Sequence, residues 1–376
     1  MIPFNKPYLT GQEYELIEKA FIKGKFSGNG YFTDKCHRFF KNHFGFSNCF
    51  LTNSATSALE MASLLCNITD GDEVIIPSYT FVSTATPFAL RGARIIFCDS
   101  EAKSPNIDVQ QLEQLITQKT KAIVVVHYAG LACDMDTIME IANRHNIFVI
   151  EDAAHSITSS YKDSFLGTFG HFAAFSFHET KNISSGQGGM LVINDQSMVE
   201  RAEKIWIKGT NQLEMLRGNV PKYEWVDLGS NFYPSEITAA LLFAQLQKIE
   251  FIQSKRKLIW ETYYKQLQNL ETKEKIKLPT IRDYQSNNYH IFYILCASIS
   301  ERNDLIDFLK QNNVLAVFHY SPLHSSPYIQ NKSTNKLVLP NAENYSKTLL
   351  RLPLFVDLEL NLVSKITSLI SSFYKS

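Results

Sequence analysis

Residues 148–155 read FVIEDAAH and residues 175–181 read FSFHETK, so two short apolar runs each lead into charged side chains. Both runs are rich in the β-branched and aromatic residues that favour strands, and both are too short for helices. The first run ends at Asp152 and the second leads to Lys181. Side chains that follow parallel strands reach a crevice at the carboxyl ends of the sheet. The pattern therefore predicts an acid and a lysine at one site.

Similar runs extend outward through the first half of the chain and alternate with helical patterns. Strands are predicted at 48–52, 73–77, 94–98, 121–127, 147–151, 171–177 and 189–194, and helices at 54–66, 80–91, 108–117 and 135–145. The run at 122–126 is apolar without interruption, which is typical of a sheet covered on both faces. Strand–helix alternation predicts an α/β fold with a mostly parallel, seven-stranded central sheet and right-handed crossovers.

The pattern changes in the last third of the chain. Residues 234–270 read as one long helix that begins near Ser235, contains no further proline and could bridge two domains. Beyond it we predict strands at 290–297 and 315–319, helices at 301–312 and 359–374, and an exposed loop at 325–337 that is rich in Ser, Asn and Lys. We therefore expect a large domain over residues 1–245 and a smaller α+β domain over residues 246–376.

Composition excludes several classes of protein. Lys+Arg and Asp+Glu are equal at 37 each, which argues against a general nucleic-acid binder. No apolar run approaches the roughly 20 residues of a membrane helix, and the first residues lack the apolar core of a signal peptide. The six cysteines are scattered without a CxxC pair. These features predict a cytoplasmic protein with reduced thiols, no metal site and no membrane partner.

Asp152 and Lys181 together suit pyridoxal 5'-phosphate. A lysine amine forms a Schiff base with the cofactor aldehyde, and a carboxylate keeps the pyridine nitrogen protonated so that the ring accepts electrons. Alone, Lys181 could be a solvated loop lysine, and Asp152 a helix N-cap or a surface acid. His155 lies one helical turn beyond Asp152; it could flank the ring or be an ordinary hydrogen-bonded histidine.

A phosphate site is predicted between the first strand and the helix that follows. Residues 52–59 read TNSATSAL, and small hydroxyl residues at a helix start leave backbone N–H groups available to an anion. Simple N-capping by Ser54 or Thr56 is the alternative, and the two roles are compatible. Phe81 could stack on a flat ring or belong to the core.

Other known catalytic and metal-binding motifs do not occur in the sequence, because the residues lack the required spacing. Residues 178–181 read HETK, which is not the HExxH of a zinc protease, and no GxSxG elbow of a serine hydrolase occurs. His319 and His324 are five residues apart with a proline between them, which does not suit a helical metal pair. The glycines at 186–189 lack the GxGxxG spacing of a dinucleotide site.

In these residues and their surroundings, the chain resembles the sugar aminotransferases of the DegT/DnrJ/EryC1/StrS family, and the resemblance extends almost from end to end. The segments that carry the resemblance are residues 77–84, 126–130, 133–139, 176–182 and 316–324. The resemblance implies a pyridoxal-phosphate-dependent fold of type I, like that of aspartate aminotransferase. It also implies a homodimer whose active sites are shared between the subunits.

The family's functional residues can be matched one at a time. Lys181 matches the Schiff-base lysine and Asp152 the partner of the pyridine nitrogen. Further cofactor-binding residues implied by the resemblance are Ala55, Thr56, Phe81, His155, Ser176 and Asn231, the last of which reaches the phosphate of the neighbouring subunit. Tyr320 and His324 match a segment that contributes to the sugar site in relatives.

The resemblance implies a transamination between L-glutamate and a dTDP-4-keto-6-deoxy-hexose, with dTDP-4-amino-4,6-dideoxygalactose as product and surface-glycan synthesis as its use. A 3-keto or UDP-linked sugar, a gluco-configured product and a non-catalytic cofactor-binding regulator remain as alternatives. The presence of Lys181 favours transamination, because relatives that replace this lysine by histidine are dehydratases or deoxygenases. Gln187 stands where the pattern has an acid, which leaves the sugar preference open.

Overall fold

The computed structural model describes residues 1–332 and 337–375. Its central sheet consists of strands β1 (Cys49–Thr52), β2 (Glu73–Pro77), β3 (Arg94–Cys98), β4 (Thr120–Val126), β5 (Phe148–Asp152), β6 (Phe172–Ser176) and β7 (Gly189–Ile193). The strand order is β1-β7-β6-β5-β4-β2-β3, and only β7 runs antiparallel to its neighbours. The predicted seven-stranded, mostly parallel α/β sheet is confirmed.

Helices cover both faces of this sheet and build the rest of the chain. They are α1 (Glu13–Ile22), α2 (Tyr31–Phe44), α3 (Ala55–Leu65), α4 (Thr86–Leu90), α5 (Val109–Leu115), α6 (Met135–His145), α7 (Val199–Trp206), α8 (Gln212–Leu216), α9 (Glu236–Leu246), α10 (Ile249–Thr272), α11 (Ile299–Gln311), α12 (Pro327–Gln330), α13 (Pro340–Thr348) and α14 (Leu360–Phe373). Strands β8 (Tyr293–Leu295), β9 (Val317–Phe318) and β10 (Leu349–Arg351) form a second, antiparallel sheet in the order β8-β10-β9.

Strand β4 shows why residues 122–126 are apolar without interruption. Val124 packs on one face of the sheet, in a core that includes residues of α3. Ile123 and Val125 pack on the other face, in a core that includes Ile138 of α6. Successive side chains of a strand point to opposite faces, so a sheet with helices on both sides requires apolar residues at every position.

Two helix predictions are wrong in detail. The predicted helix at 80–91 is a 3₁₀ turn at Val82–Thr84 followed by the short helix α4, because Pro87 fits only in the first turn of a helix. The predicted helix at 234–270 is broken at Lys248, whose backbone is not helical. Helix α9 packs against α1 and α2 whereas α10 packs against α14, so tertiary packing sets this break.

The last part of the chain has its own core, built from α10, α11, α14 and the β8-β10-β9 sheet. Ile2 joins that core from the N-terminal end of the chain. The division at residues 245 and 246 stays a prediction. In the predicted loop at 325–337, residues 327–330 form α12 and residues 333–336 lie outside the described part. No helix within the described ranges is long and apolar enough to cross a membrane.

Candidate active site

A cavity of about 550 Å³ opens at the carboxyl ends of the parallel strands and is also lined by Phe318, His319 and Arg351 from the last part of the chain. Eight of the ten predicted site residues line it, and they are Ala55, Thr56, Phe81, Asp152, His155, Ser176, Lys181 and Tyr320. They come from five separate stretches of chain. The topology of the sheet brings these stretches together, because strands β1, β5 and β6 all end at this edge.

Lys181 follows β6 in a tight turn. Its backbone N–H donates to the His178 carbonyl at 2.9 Å, and the Glu179 N–H donates to the Gly186 carbonyl at 2.9 Å. Burial, with a smaller contribution from the positive charge of Arg351, lowers the pKa of the Lys181 amine to about 7, and the Asp152 carboxylate partly opposes this shift. An amine with that pKa is about half free base near pH 7, whereas an ordinary lysine is almost fully protonated, and the free base is the form that acts as nucleophile or base.

Asp152 ends β5 and is the only acid that lines the cavity among the described residues. Its Oδ2 accepts a hydrogen bond of 2.7 Å from Thr84 Oγ1, and its Oδ1 accepts one of 3.2 Å from the Ala154 N–H. Burial raises the pKa of this carboxyl, while the two hydrogen bonds and the nearby Lys181 oppose the rise. A cationic group in the cavity would therefore gain a fixed counter-ion.

His155 is held as a neutral imidazole. Its Nδ1 accepts a hydrogen bond of 3.3 Å from the Ala129 N–H, and its ring lies 4.6 Å from that of His290. Burial lowers the pKa of His155 well below the ordinary value, and the positive charges of Lys181 and Arg351 lower it further. Such a ring offers a flat, uncharged surface beside Asp152.

The first turn of α3 forms the anion-binding end of the cavity. Ser54 caps the helix, its Oγ accepting from the Ser57 N–H at 3.1 Å. Within residues 1–332 and 337–375, the N–H groups of Ala55 and Thr56 donate to no protein acceptor. The positive end of the helix dipole and free N–H groups together favour a phosphate.

Gly189, the first residue of β7, allows the anion-binding end of the cavity to form. A Cβ built at that position would lie 2.2 Å from the Ser54 carbonyl carbon and 2.4 Å from the Ala55 nitrogen. Only glycine therefore allows β7 to approach the start of α3 so closely. The approach fixes the free N–H groups at the edge of the cavity.

Phe81 and Tyr320 form an aromatic wall. Phe81 is 55% exposed and its ring centroid lies 6.0 Å from that of Tyr320. Tyr320 in turn contacts Tyr79 and Tyr128, which are buried behind it. A planar ligand ring can stack against such a wall, since offset aromatic contacts are favourable.

Asn231 and His324 do not line the cavity of this chain. Asn231 is exposed, and its carbonyl accepts a hydrogen bond of 2.9 Å from Asn53 Nδ2. His324 is buried behind the wall, where its Nδ1 shares a hydrogen bond of 2.6 Å with Ser78 Oγ. His324 therefore lies outside the cavity lining, against Ser78, and its role at the sugar site stays a prediction.

Sequence reasoning missed several residues of the site. Thr84 lies in the segment 77–84 that carries the resemblance, but its hydrogen bond to Asp152 gave no signal, because a threonine is common in any turn. Phe4 and His290 also line the cavity, and nothing in their sequence neighbourhood marks them, whereas His319 stands next to the predicted Tyr320. Arg351 carried a usable signal: it interrupts the apolar run LLRLPL at residues 349–354 and lies in the cavity wall.

The residues present fit pyridoxal phosphate. The phosphate would be held at the start of α3, the pyridine nitrogen beside Asp152, and the aldehyde by Lys181, the only lysine of the described chain that lines the cavity. No group of three or more metal-ligating side chains converges in the described ranges.

Comparison with known proteins agrees with this geometry. Residues 7–371 match the DegT/DnrJ/EryC1/StrS aminotransferase family. GDP-perosamine synthase of Escherichia coli O157:H7 is 32% identical over 376 residues, covering 99% of this chain and 98% of that protein. The pyridoxal phosphate form of the putative sugar aminotransferase Spr1654 from Streptococcus pneumoniae superposes with a TM-score of 0.91 at 25% identity, covering 100% and 98% of the two chains. Helicobacter pylori PseC, an aminotransferase involved in pseudoaminic acid biosynthesis, superposes with a TM-score of 0.90 at 25% identity, covering 100% and 99%.

Proposed function

Because this chain belongs to the DegT/DnrJ/EryC1/StrS aminotransferase family, we propose that it transfers an amino group from L-glutamate to a dTDP-4-keto-6-deoxy-hexose. The proposed product is dTDP-4-amino-4,6-dideoxygalactose. The coarser activity, that of a pyridoxal-phosphate-dependent sugar aminotransferase, follows from the family. The assignment of the dTDP-4-keto sugar is supported by three segments that resemble those of enzymes that aminate this class of sugar: residues 77–84, 126–130 and 316–324.

Lys181 has two tasks in the proposed reaction. When bound, pyridoxal phosphate supplies an aldehyde that condenses with amines and a ring that takes up an electron pair. The Lys181 amine, with a pKa of about 7, takes the proton from the α-carbon of the amino donor. It then returns a proton to the carbon that becomes aminated in the sugar. A single base suffices because the donor and the acceptor bind in turn.

Asp152 and the start of α3 position the cofactor. The Asp152 carboxylate, fixed by Thr84 and the Ala154 N–H, would hold the proton of the pyridine nitrogen, which keeps the ring able to take up electrons. The N–H groups of Ala55 and Thr56, at the start of α3, would hold the phosphate. The observation that carries the proposal is this arrangement: an amine with a lowered pKa, a buried acid and a helix start around one cavity.

The test is a product analysis. Purified enzyme with pyridoxal phosphate, L-glutamate and dTDP-4-keto-6-deoxyglucose should form 2-oxoglutarate and an aminated nucleotide sugar, whose axial amine at C4 is identified by NMR. Lys181→Ala is the matched control and should bind the cofactor without steady-state turnover. An equatorial amine would indicate the gluco product, and an amine at C3 would refute the position assigned here.

A second substrate class deserves the same assay. The relative named GDP-perosamine synthase covers almost the whole chain. A GDP-linked 4-keto-6-deoxy sugar is therefore the competing acceptor. If kcat/KM is at least 10-fold higher with the GDP-linked than with the dTDP-linked sugar, the nucleotide assignment is wrong while the aminotransferase assignment stands.

We also propose a homodimer with shared active sites. Phe81 and Val82 at the cavity mouth are 55% and 51% exposed, and Trp225 and Leu228 are 78% and 50% exposed. Exposed apolar side chains in such number favour a protein interface. Light scattering should give twice the mass of the 42.9 kDa chain. If Asn231 acts on the partner's site, a mixed dimer of Lys181→Ala and Asn231→Ala subunits should recover activity that neither variant has alone.

A further inference from the structure

The turns that follow β5 and β6 are not hydrogen bonded to each other directly. The hydrogen bonds between these two strands end with the one of 2.9 Å from the Ala153 N–H to the Ala174 carbonyl. Beyond that point, no hydrogen bond in the described part of the chain directly joins residues 154–158, after β5, to residues 177–183, after β6. The position of Lys181 relative to the end of β5 therefore depends on contacts made elsewhere.

Asn288 links the two turns. It is buried, and its Nδ2 donates hydrogen bonds of 2.6 Å to the His155 carbonyl and 2.9 Å to the Ile157 carbonyl, in the turn after β5. Its own carbonyl accepts a hydrogen bond of 2.8 Å from Nδ2 of Asn182, the residue that follows Lys181. One buried asparagine thus binds the turn beyond the acid and the turn of the lysine.

The side-chain amide of Asn182 has a determined orientation. Its Nδ2 also donates a hydrogen bond of 2.9 Å to Gln253 Oε1 of α10, and its Oδ1 lies 2.8 Å from His290 Nδ1. The Asn288 carbonyl can only accept, so Nδ2 faces that carbonyl and Oδ1 accepts from the imidazole. Because Asn182 is 4% exposed, losing one of these bonds would leave a buried polar group unpaired.

Gly130, which follows β4, leaves the space that the Asn288 side chain occupies. A Cβ built on Gly130 would lie 2.1 Å from Oδ1 of Asn288 and 2.6 Å from its Cγ, and the φ of Gly130 is +81°. Any larger residue would push the asparagine away. Asn288 thus contacts the chain beyond the ends of β4, β5 and β6.

We propose that Asn288 and Asn182 are positioning residues that set where the Lys181 amine lies relative to the cofactor; this inference rests on the proposed function. Neither asparagine lines the cavity, so both act through the turn of the lysine. A reacting group that is held in place gains greatly in rate, and a displacement of about 1 Å can cost roughly 100-fold. Loss of either asparagine leaves the amine, the acid and the phosphate site present but no longer fixes their mutual distances.

Competition with methylamine measures the position of Lys181 without turnover. Methylamine takes the cofactor aldehyde from the lysine: the C=N bond to Lys181 breaks, one to methylamine forms, and the lysine leaves as a free amine. Borohydride reduction and mass spectrometry then give the fraction of cofactor still bonded to Lys181. Asn182→Ala and Asn288→Ala should each lower the methylamine concentration for half-displacement by roughly 10- to 100-fold. The double variant should add less than about 3-fold, because both changes break one link.

Stopped-flow absorbance separates positioning from substrate binding. In Asn182→Ala and Asn288→Ala, the rate constant of the half-reaction with L-glutamate should fall by roughly 10- to 100-fold, because the displaced lysine transfers the proton more slowly. Half-saturation by L-glutamate should change less than about 3-fold, since neither side chain touches the donor. Asn194→Ala is the matched control: it removes an amide that donates to the Gly167 and Gly170 carbonyls, and it should match the wild type in both measurements.

Several outcomes would overturn the proposal. Unchanged displacement by methylamine in Asn182→Ala refutes it, and an equal loss in Asn194→Ala would reflect general destabilisation instead. A raised half-saturation concentration with an unchanged rate constant would assign the asparagines to substrate binding. If Asn288→Ala does not fold, Asn182→Ala decides alone, because it leaves the turn after β5 intact. A wild type that bonds its cofactor at Lys181 but converts it with no amino donor would refute the proposed function and leave the positioning role standing.

Discussion

The buried amine of Lys181 should make the cofactor-free enzyme less stable than it could be. Its pKa is lowered to about 7 in the folded chain and returns to about 10.5 on unfolding. Below pH 7 the folded state must hold a charged amine that it disfavours. The difference between the two pKa values corresponds to a penalty of about 5 kcal/mol, an upper value for this side chain.

Replacing Lys181 by methionine removes this penalty at nearly constant volume. The sign follows from proton binding: between pH 7 and 10.5 the unfolded wild type binds more protons than the folded one, so its stability rises with pH. Lys181→Met lacks that dependence. The excess stability of the variant should therefore be largest, several kcal/mol, at about pH 6.5 and should shrink towards about pH 9.5.

Urea unfolding of the cofactor-free proteins at fixed concentration, followed by circular dichroism, measures the difference. Lys119→Met, at an exposed position, is the control and should show no pH-dependent gain. A gain for Lys181→Met that is the same at both pH values would reflect only added apolar packing. That result, or a less stable variant at the lower pH, would refute the argument that burial of the amine lowers its pKa.

Three further perturbations test the geometry around the cavity. Asp152→Asn should lower kcat at least about 100-fold, because a neutral amide cannot hold the pyridine proton; steady-state kinetics at near wild-type rates would remove Asp152 from this role. Thr84→Val removes the hydrogen bond to Asp152, raises the pKa of that carboxyl and should lower kcat/KM by roughly 10-fold, with Thr84→Ser restoring it. Gly189→Ala forces a Cβ to within 2.2 Å of the Ser54 backbone and should lower the free energy of unfolding by at least about 2 kcal/mol. It should also weaken binding of pyridoxal phosphate in a fluorescence titration, and a variant with normal stability and affinity would show that α3 moves freely.

The strands of the sheet could be predicted to within a residue or two, because most of their residues are buried on both faces and are therefore apolar; the edge strand β3, with Arg94 exposed, is the least buried. The break between α9 and α10 at Lys248 could not be predicted, because neither proline nor glycine marks it. The two helices separate there because they pack against different partners. The length of the helix predicted at 80–91 was also wrong, and tertiary contacts again contribute. Thr84 lies in the 3₁₀ turn that precedes α4, and its hydroxyl donates a hydrogen bond to Asp152.

The residues of the candidate site also fall into those that the sequence predicts and those that it does not. Lys181 and Asp152 could be predicted because Asp152 ends a strand and Lys181 lies in the turn that follows another, and these two strands are neighbours in the sheet. Arg351 and Phe4 are more than 300 residues apart in the sequence, and their contact depends on tertiary packing. No local pattern encodes such a contact, although a charge in an apolar strand is a reason to look for one.

The backbone hydrogen bonds that join Ile2 to residues 313 and 315 have a consequence for the order in which the chain folds during synthesis. Its N–H donates to the Asn313 carbonyl at 2.7 Å, and its own carbonyl accepts from the Leu315 N–H at 3.1 Å. During translation Ile2, which forms a single parallel bridge with Val314, must wait for roughly 300 residues to be added, a matter of tens of seconds, before its partner is synthesised. Phe4, which follows it, reaches Arg351 only then. The cavity wall is thus completed only after the chain has been synthesised as far as Arg351.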